Sequence, residues 1–188
     1  LHSGTVSAAR ESSLYGMPAI AISLATYEHS DYTQTLEASM TIIEACLSSL
    51  PTEPANLGRP QGSRRTHSIR GSMHDKALSA FADGDLILNI NGPEHWNGSF
   101  QTVTLGSRWY HNAIDMRDVD NIGVAFEVGA AIIEDEDIPG TDCNAINSGA
   151  VSITPLSSWP ANHPLGLSEA LLSVATEQSS SGLPKWLD

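Results

Sequence analysis

Two short apolar runs interrupt an otherwise mixed sequence: Ala19-Ile20-Ala21-Ile22-Ser23-Leu24 and Leu86-Ile87-Leu88-Asn89-Ile90. Each has the length of a strand and lacks the alternation of a sheet with one wet face. Each is therefore expected to be covered on both sides, as in a parallel sheet. Around them the period becomes helical. Ser3 to Tyr15 reads as a helix entered from Ser-Gly-Thr, with Val6, Ala9 and Leu14 as its buried stripe, stopped by Gly16 and Pro18. Thr35 to Leu50 is the clearest helix. Leu36, Met40, Ile43, Leu47 and Leu50 recur at helical spacing, which predicts that this stripe faces the core, and Pro51 ends it. Shorter helices are expected over His74 to Phe81 and over Leu167 to Thr176, the second burying Leu167, Leu171 and Val174. Helix alternating with covered strand indicates α/β layers.

After Gly92-Pro93 the pattern changes. Phe100 to Leu105, Trp109 to Ile114 and Ile122 to Val128 are strand-like but less continuous, and predict an antiparallel extension or hairpin. Glu134 to Asp137 reads as an acidic turn, Ala150 to Thr154 as a further strand, and the Ser-rich last dozen residues as frayed. Residues 51–73, rich in Pro, Gly, Ser and Arg, form a long loop without periodicity. The expected division is an α/β part over 1–93, a hairpin extension with a closing strand over 94–156, and a C-terminal helix and tail over 157–188.

Composition narrows the function. The 188 residues are 40% hydrophobic, enough for one core, alone or with a projecting arm. A net charge of −13 argues against nucleic acid and against anionic membrane surfaces as partners. An acidic chain still binds phosphate where a metal ion or a helix N-terminus supplies local positive potential. Cys46 and Cys143 belong to no metal-ligand pattern; Cys46 reads as a core residue, and a reducing, cytoplasmic setting is expected. No run approaches membrane-spanning length. The opening Leu1-His2-Ser3-Gly4-Thr5, without an initiator Met, reads as that of a fragment, a processed product or a gene called from an internal position.

Few residues suggest chemistry. Ser3-Gly4-Thr5 before a helix is a cap on the residues alone, and an anion cradle as the sharper reading. Asp115, Asp118, Asp120 and Asn121 faintly resemble a calcium loop but lack its glycine and closing Glu. The histidines, including His74 and His111, show no ligand spacing, and no P-loop, dinucleotide fingerprint or nucleophile elbow is present. Trp109-Tyr110 in the expected arm is read equally as packing within the chain and as a partner contact.

Three segments in register carry a resemblance. They are Ser3-Gly4-Thr5-Val6-Ser7-Ala8-Ala9 followed by Gly16-Met17-Pro18-Ala19-Ile20-Ala21-Ile22-Ser23-Leu24; Leu88-Asn89-Ile90-Asn91-Gly92-Pro93; and Gly140-Thr141-Asp142 with Gly149-Ala150-Val151-Ser152-Ile153-Thr154-Pro155-Leu156. Together they resemble the SurE family of 5′/3′-nucleotidases. The resemblance implies a Rossmann-like three-layer α/β sandwich with an antiparallel hairpin extension. It also implies phosphate removal from nucleoside monophosphates, a divalent metal (Mg or Mn), and a homo-oligomer formed through the hairpin region. The family's metal ligands, an Asp-Asp pair, a Ser and an Asn, correspond to positions before Leu1. The carry-over therefore gives phosphate-binding Ser3, Gly4 and Thr5, with no catalytic residue and no metal ligand in this chain. Two expectations follow: this polypeptide alone is inactive or nearly so, and it is prone to aggregate through unpaired sheet edges or needs a partner that supplies the missing strands. The alternative reading is an inactive remnant, or an assembly or binding subunit, of the same fold.

Overall fold

The computed structural model describes residues 3–26, 31–51, 71–119, 123–128 and 132–188. The long 51–73 loop therefore lies almost wholly outside the described residues, as do Asp120 and Asn121 of the calcium-like stretch.

Helix α1 (Gly4–Leu14) leads into strand β1 (Ala19–Leu24); helices α2 (Thr33–Ser49) and α3 (Met73–Ala82) precede strand β2 (Leu86–Gly92). β3 (Phe100–Thr102) follows, then the arm strands β4 (Arg108–His111), β5 (Ile114–Val119), β6 (Gly123–Val128) and β7 (Ile132–Asp135). The chain closes with α4 (Asp142–Asn147), β8 (Val151–Ser157), α5 (Glu169–Ala175) and a 3-10 turn (Lys185–Leu187).

The main sheet runs β1-β2-β8-β3. β1 lies parallel to β2, and β8 is antiparallel to β2. β3 is parallel to β8, which corrects its expected place in an antiparallel extension: it belongs to the main sheet. Alternation along the strands separates two cores. Leu86, Leu88, Ile90, Val151 and Ile153 point to one side and pack with Ala38, Ile42 and Cys46 of α2, Ala77, Ala80 and Phe81 of α3, and Leu171 and Ala175 of α5. Ala19, Ala21 and Ile87 point to the other and pack with Val6 and Ala9 of α1. Helices on both faces of a mixed sheet make a three-layer α/β sandwich. Burial pushes the Cys46 thiol up to about 12, so it is an inert core group.

Helix α2 forms where its period predicts, but three of the five stripe residues face outward, while Ile43 is half-buried and Leu50 packs against the core. Leu36, Met40 and Leu47 are exposed, and the buried residues are Thr35, Ala38, Ser39, Ile42 and Cys46. The cause is close approach. A Cβ on Gly92 would collide with the Thr35 side chain, so this end of α2 lies nearly on the β2 backbone and only small residues fit beneath it. In α1, Ser13 replaces Leu14 as the third buried position. Its hydroxyl donates to the Arg10 carbonyl (2.7 Å) and meets Ser158 Oγ (2.9 Å).

The tail is also packed rather than frayed. Trp186 and Leu187 are buried against the α3 core, Trp186 and Phe81 ring centroids lie 5.5 Å apart, and Trp186 Nε1 donates to the Ala175 carbonyl at 3.0 Å. Two large side chains suffice to hold a Ser-rich segment.

In the arm, β4 pairs antiparallel with β7 and β5 with β6. The acidic stretch read as a turn begins inside β7: Glu134 and Asp135 are strand residues. Asp135 accepts two hydrogen bonds from the Arg108 guanidinium, 2.6 Å from Nε and 2.7 Å from Nη2. That hydrogen bonding holds the Asp135 carboxyl below the usual carboxylate range. Trp109 is 54% exposed, Met116 69% and Phe126 65%.

Candidate phosphate site

The start of α1 is built from three residues. Ser3 is the N-cap, in extended backbone conformation, and its hydroxyl accepts from the Val6 N–H at 3.2 Å. The Ser7 N–H is taken by the Ser3 carbonyl. That leaves the Gly4 and Thr5 N–H groups, which donate to nothing among the described residues. Ser3 is half-buried, Gly4 and Thr5 are exposed, and a Cβ added to Gly4 would meet nothing within 4 Å. The cap reading and the anion reading are thus compatible: the Ser3 oxygen caps Val6 while its own proton stays available as a donor.

Electrostatics separates this helix start from the others. α3 begins with a capping box made by Asp75, whose carboxyl that bonding to Ser72 holds below its ordinary range. α4 and α5 carry Asp142 and Glu169 in their first turns. At α2, Asp31 Oδ1 accepts the Thr33 N–H at 3.0 Å. Only α1, among the described residues, starts without a carboxylate, and so keeps the roughly half positive charge of its unsatisfied N–H groups.

The sheet beneath α1 is graded from apolar to polar. Strand register sets three rows on this face: Ala19, Ile87 and Leu156; then Ala21, Asn89 and Thr154; then Ser23, Asn91 and Ser152. The last turns of α1 lie toward the apolar end, where Arg10 Nε donates to the Ser158 carbonyl at 2.6 Å. The first turn therefore lies toward the polar end, where the parallel strands β1 and β2 finish. Crevices at the carboxyl ends of parallel strands are where open α/β sheets hold ligands.

Sequence reasoning missed this polar face. By its neighbours in sequence, Asn89 belongs to a strand covered on both faces. An Asn inside an otherwise apolar run of that kind was the available signal, because a buried carboxamide needs partners. Thr154 and Ser152 sit in β8, whose pairing with β2 is not visible in either segment alone.

The other candidates are accounted for by local bonds. His74 Nε2 lies 3.0 Å from Glu177 Oε2, and His111 Nε2 lies 3.0 Å from Glu134 Oε2, both at the surface. Desolvation raises the Cys143 thiol to about 12. A shallow, mainly apolar groove of about 490 Å³ runs beside β1, lined by residues that include Thr5, Ala8, Ser12, Met17 and Ile20; its lining does not suit an anion. Among the described residues no three His, Cys, Asp or Glu side chains converge as a metal site. No described helix is long and apolar enough to cross a membrane.

The family model described as survival protein SurE matches residues 1–113. A protein named 5′-nucleotidase SurE from Heliobacterium modesticaldum is 31% identical over 169 residues, covering 88% of this chain and 50% of its own. One of the same name from Desulforamulus reducens is 33% identical over 159 residues, covering 83% of this chain and 50% of its own. The crystal structure of a SurE protein from Aquifex aeolicus aligns with a TM-score of 0.49 at 24% identity, over 85% of this chain and 53% of that one. The chain spans about half the length of the curated relatives it matches.

Proposed function

Because the chain belongs to the SurE family, we propose that it holds the phosphate of a nucleoside monophosphate at the start of α1, as the anion-binding part of a phosphomonoester hydrolase. The observation that carries this reading is the open, carboxylate-free α1 start with two undirected N–H groups at Gly4 and Thr5. Phosphoryl transfer consists mostly of positioning and charge neutralisation. In this reading the Gly4 and Thr5 N–H groups and the Ser3 hydroxyl donate to the non-bridging oxygens and orient the ester. The relatives' printed name, 5′-nucleotidase, supports a nucleoside monophosphate as substrate.

A divalent cation belongs to the chemistry implied by the family. The described residues do not fit one, and no step is derived through it. What this chain's residues do is bind and orient. The isolated 188-residue chain is accordingly expected to bind AMP without releasing phosphate from it. The setting proposed is cytoplasmic, in keeping with two buried free cysteines. The assembly proposed is a homo-oligomer through the arm, in keeping with its exposed apolar side chains.

Gly4→Ala tests the anion site. The new methyl group meets nothing in the protein, so the melting temperature is expected to hold or rise slightly, but the methyl stands where the phosphate approaches. Isothermal titration with inorganic phosphate and with AMP should show binding weakened about tenfold, the equivalent of about 1.4 kcal/mol. Equal binding by wild type and variant, or no binding by wild type at millimolar ligand, removes the reading. Release of phosphate from AMP by this chain with Mn²⁺ or Mg²⁺ would overturn the expectation that it only binds.

A further inference from the structure

The polar rows under α1 hold more hydrogen-bonding capacity than the protein itself uses. Among the described residues, Ser152 Oγ and Thr154 Oγ1 are fully buried and find no partner. Asn89 beside them is 6% exposed as a residue; its carboxamide bonds to no described residue and, unlike the two hydroxyls, is not sealed from solvent. A carboxamide offers two donors and an acceptor, and each hydroxyl offers a donor and acceptor sites. Leaving such groups buried and unpaired is unfavourable, and in native proteins it marks strain or function.

Their placement gives them a direction. Asn89 sits between Ala21 and Thr154 in register, and Asn91 sits between Ser23 and Ser152 one row closer to the α1 start. Ser23 and Asn91 are half-buried, so the polar face opens to solvent at that end and closes inward at Asn89. All five groups are neutral. The α1 start supplies positive potential for a dianion; the sheet face supplies paired donors and acceptors without charge. A sugar hydroxyl, itself both donor and acceptor, matches the second set.

We propose that Asn89, backed by Ser152 and Thr154, binds the sugar hydroxyls of the phosphate ester held at Ser3, Gly4 and Thr5. This rests on the phosphate reading above and deepens it: the carboxamide selects esters of sugars over phosphate alone. Asn89 is a binding and specificity residue. It bears no charge and takes no proton, and its unmet hydrogen bonds are completed by the ligand.

The apolar variant Asn89→Val separates binding from structure. Val suits a strand and removes the unpaired amide, so the ligand-free variant is expected to melt at or above the wild-type temperature. A structural Asn would do the opposite. Titration with inorganic phosphate, ribose 5-phosphate and AMP should show wild type binding the two sugar esters about tenfold more tightly than phosphate, the worth of one or two hydrogen bonds. Asn89→Val should reduce that preference to within about twofold while phosphate affinity stays unchanged. Thr154→Val, isosteric and also free of an unpaired hydroxyl, should stabilise the ligand-free chain in the same way and provides the comparison if Asn89→Val does not fold. Gly4→Ala should weaken all three ligands together.

A wild-type preference that survives both substitutions overturns the sugar assignment and leaves the phosphate reading standing. Loss of phosphate and sugar-ester binding alike at Asn89→Val also overturns it, by placing the carboxamide on the anion. A melting temperature lowered by both Val variants overturns it as well, by making the cluster structural. Wild type binding none of the three ligands removes the phosphate reading and this one with it.

Discussion

The main sheet and the arm spend their apolar side chains differently. Around β2 and β8, Leu86, Leu88, Ile90, Val151 and Ile153 have no accessible surface left. In the arm, Ile114, Met116, Val124, Phe126 and Ile132 are more than half exposed, although β5 and β6 pair along their whole length. Backbone pairing alone thus builds a ribbon without building a core. The sheet is stabilised by burial on both faces, whereas the arm depends on its ladder, on the Arg108–Asp135 pair, and on whatever covers its side chains.

The largest test of that contrast sets one Phe against another. Phe81 is 1% exposed and packs with its ring tilted against Trp186, so Phe81→Ala should cost about 4 kcal/mol in urea denaturation. Phe126→Asp should leave the unfolding free energy of the dilute chain within about 0.5 kcal/mol of wild type, as at other exposed sites. If the arm joins copies of the chain, the same substitution lowers the sedimenting mass; an unchanged mass together with a large loss of stability would erase the distinction between the two regions.

A smaller effect isolates the arm. Arg108→Ala is expected to destabilise by about 1 kcal/mol, confined to the β4–β7 pair and visible as faster amide exchange there. The sign with pH follows from the lowered Asp135 pKa. Unfolded Asp titrates near about 4, so the pair's contribution is complete above that value and is lost as pH falls through the lower folded one. Exchange in β4 and β7 should therefore quicken in acid before exchange in β2 does. Simultaneous quickening would show that the arm and the sheet open as one unit.

The smallest effect is expected on α2. Leu36→Ser, Met40→Ser and Leu47→Ser should each change stability by less than about 0.5 kcal/mol, against about 3 kcal/mol for Ile42→Ala on the opposite side. A large loss at the outer positions would mean that their stripe is covered after all.

α2 also shows where sequence reading stops. Its existence and length are local properties, visible in spacing and in Pro51. Which face packs inward is set by how close the sheet backbone comes, and Gly92 and Thr35 are far apart in sequence. β1 and β2 were legible because strands covered on both faces are mostly apolar, even though Ser23, Asn89 and Asn91 interrupt them on one face. β3 was legible as a strand but not as a neighbour of β8, since pairing is a tertiary matter. Ser composition hid Trp186 and Leu187 in the tail. At the candidate site, Ser3, Gly4 and Thr5 stood out as a helix start, and the absence of a carboxylate there could be compared with the other helices only once their caps were known. The Asn89, Ser152 and Thr154 cluster needed the antiparallel register of β2 with β8, which brings residues from two distant segments into one row.

That register has a kinetic consequence. Leu86 meets Ser157 across a detour that contains the whole arm, so the central pair of the sheet forms only when a long loop closes. Such topologies refold slowly, because the chain surrenders its freedom before the distant partners reward it. Loop-closure entropy nevertheless grows only logarithmically, and doubling a loop adds about 0.6 kcal/mol. Refolding speed should therefore be nearly indifferent to a longer or shorter hairpin, leaving the projecting segment free to change length while the interior keeps its rate of assembly.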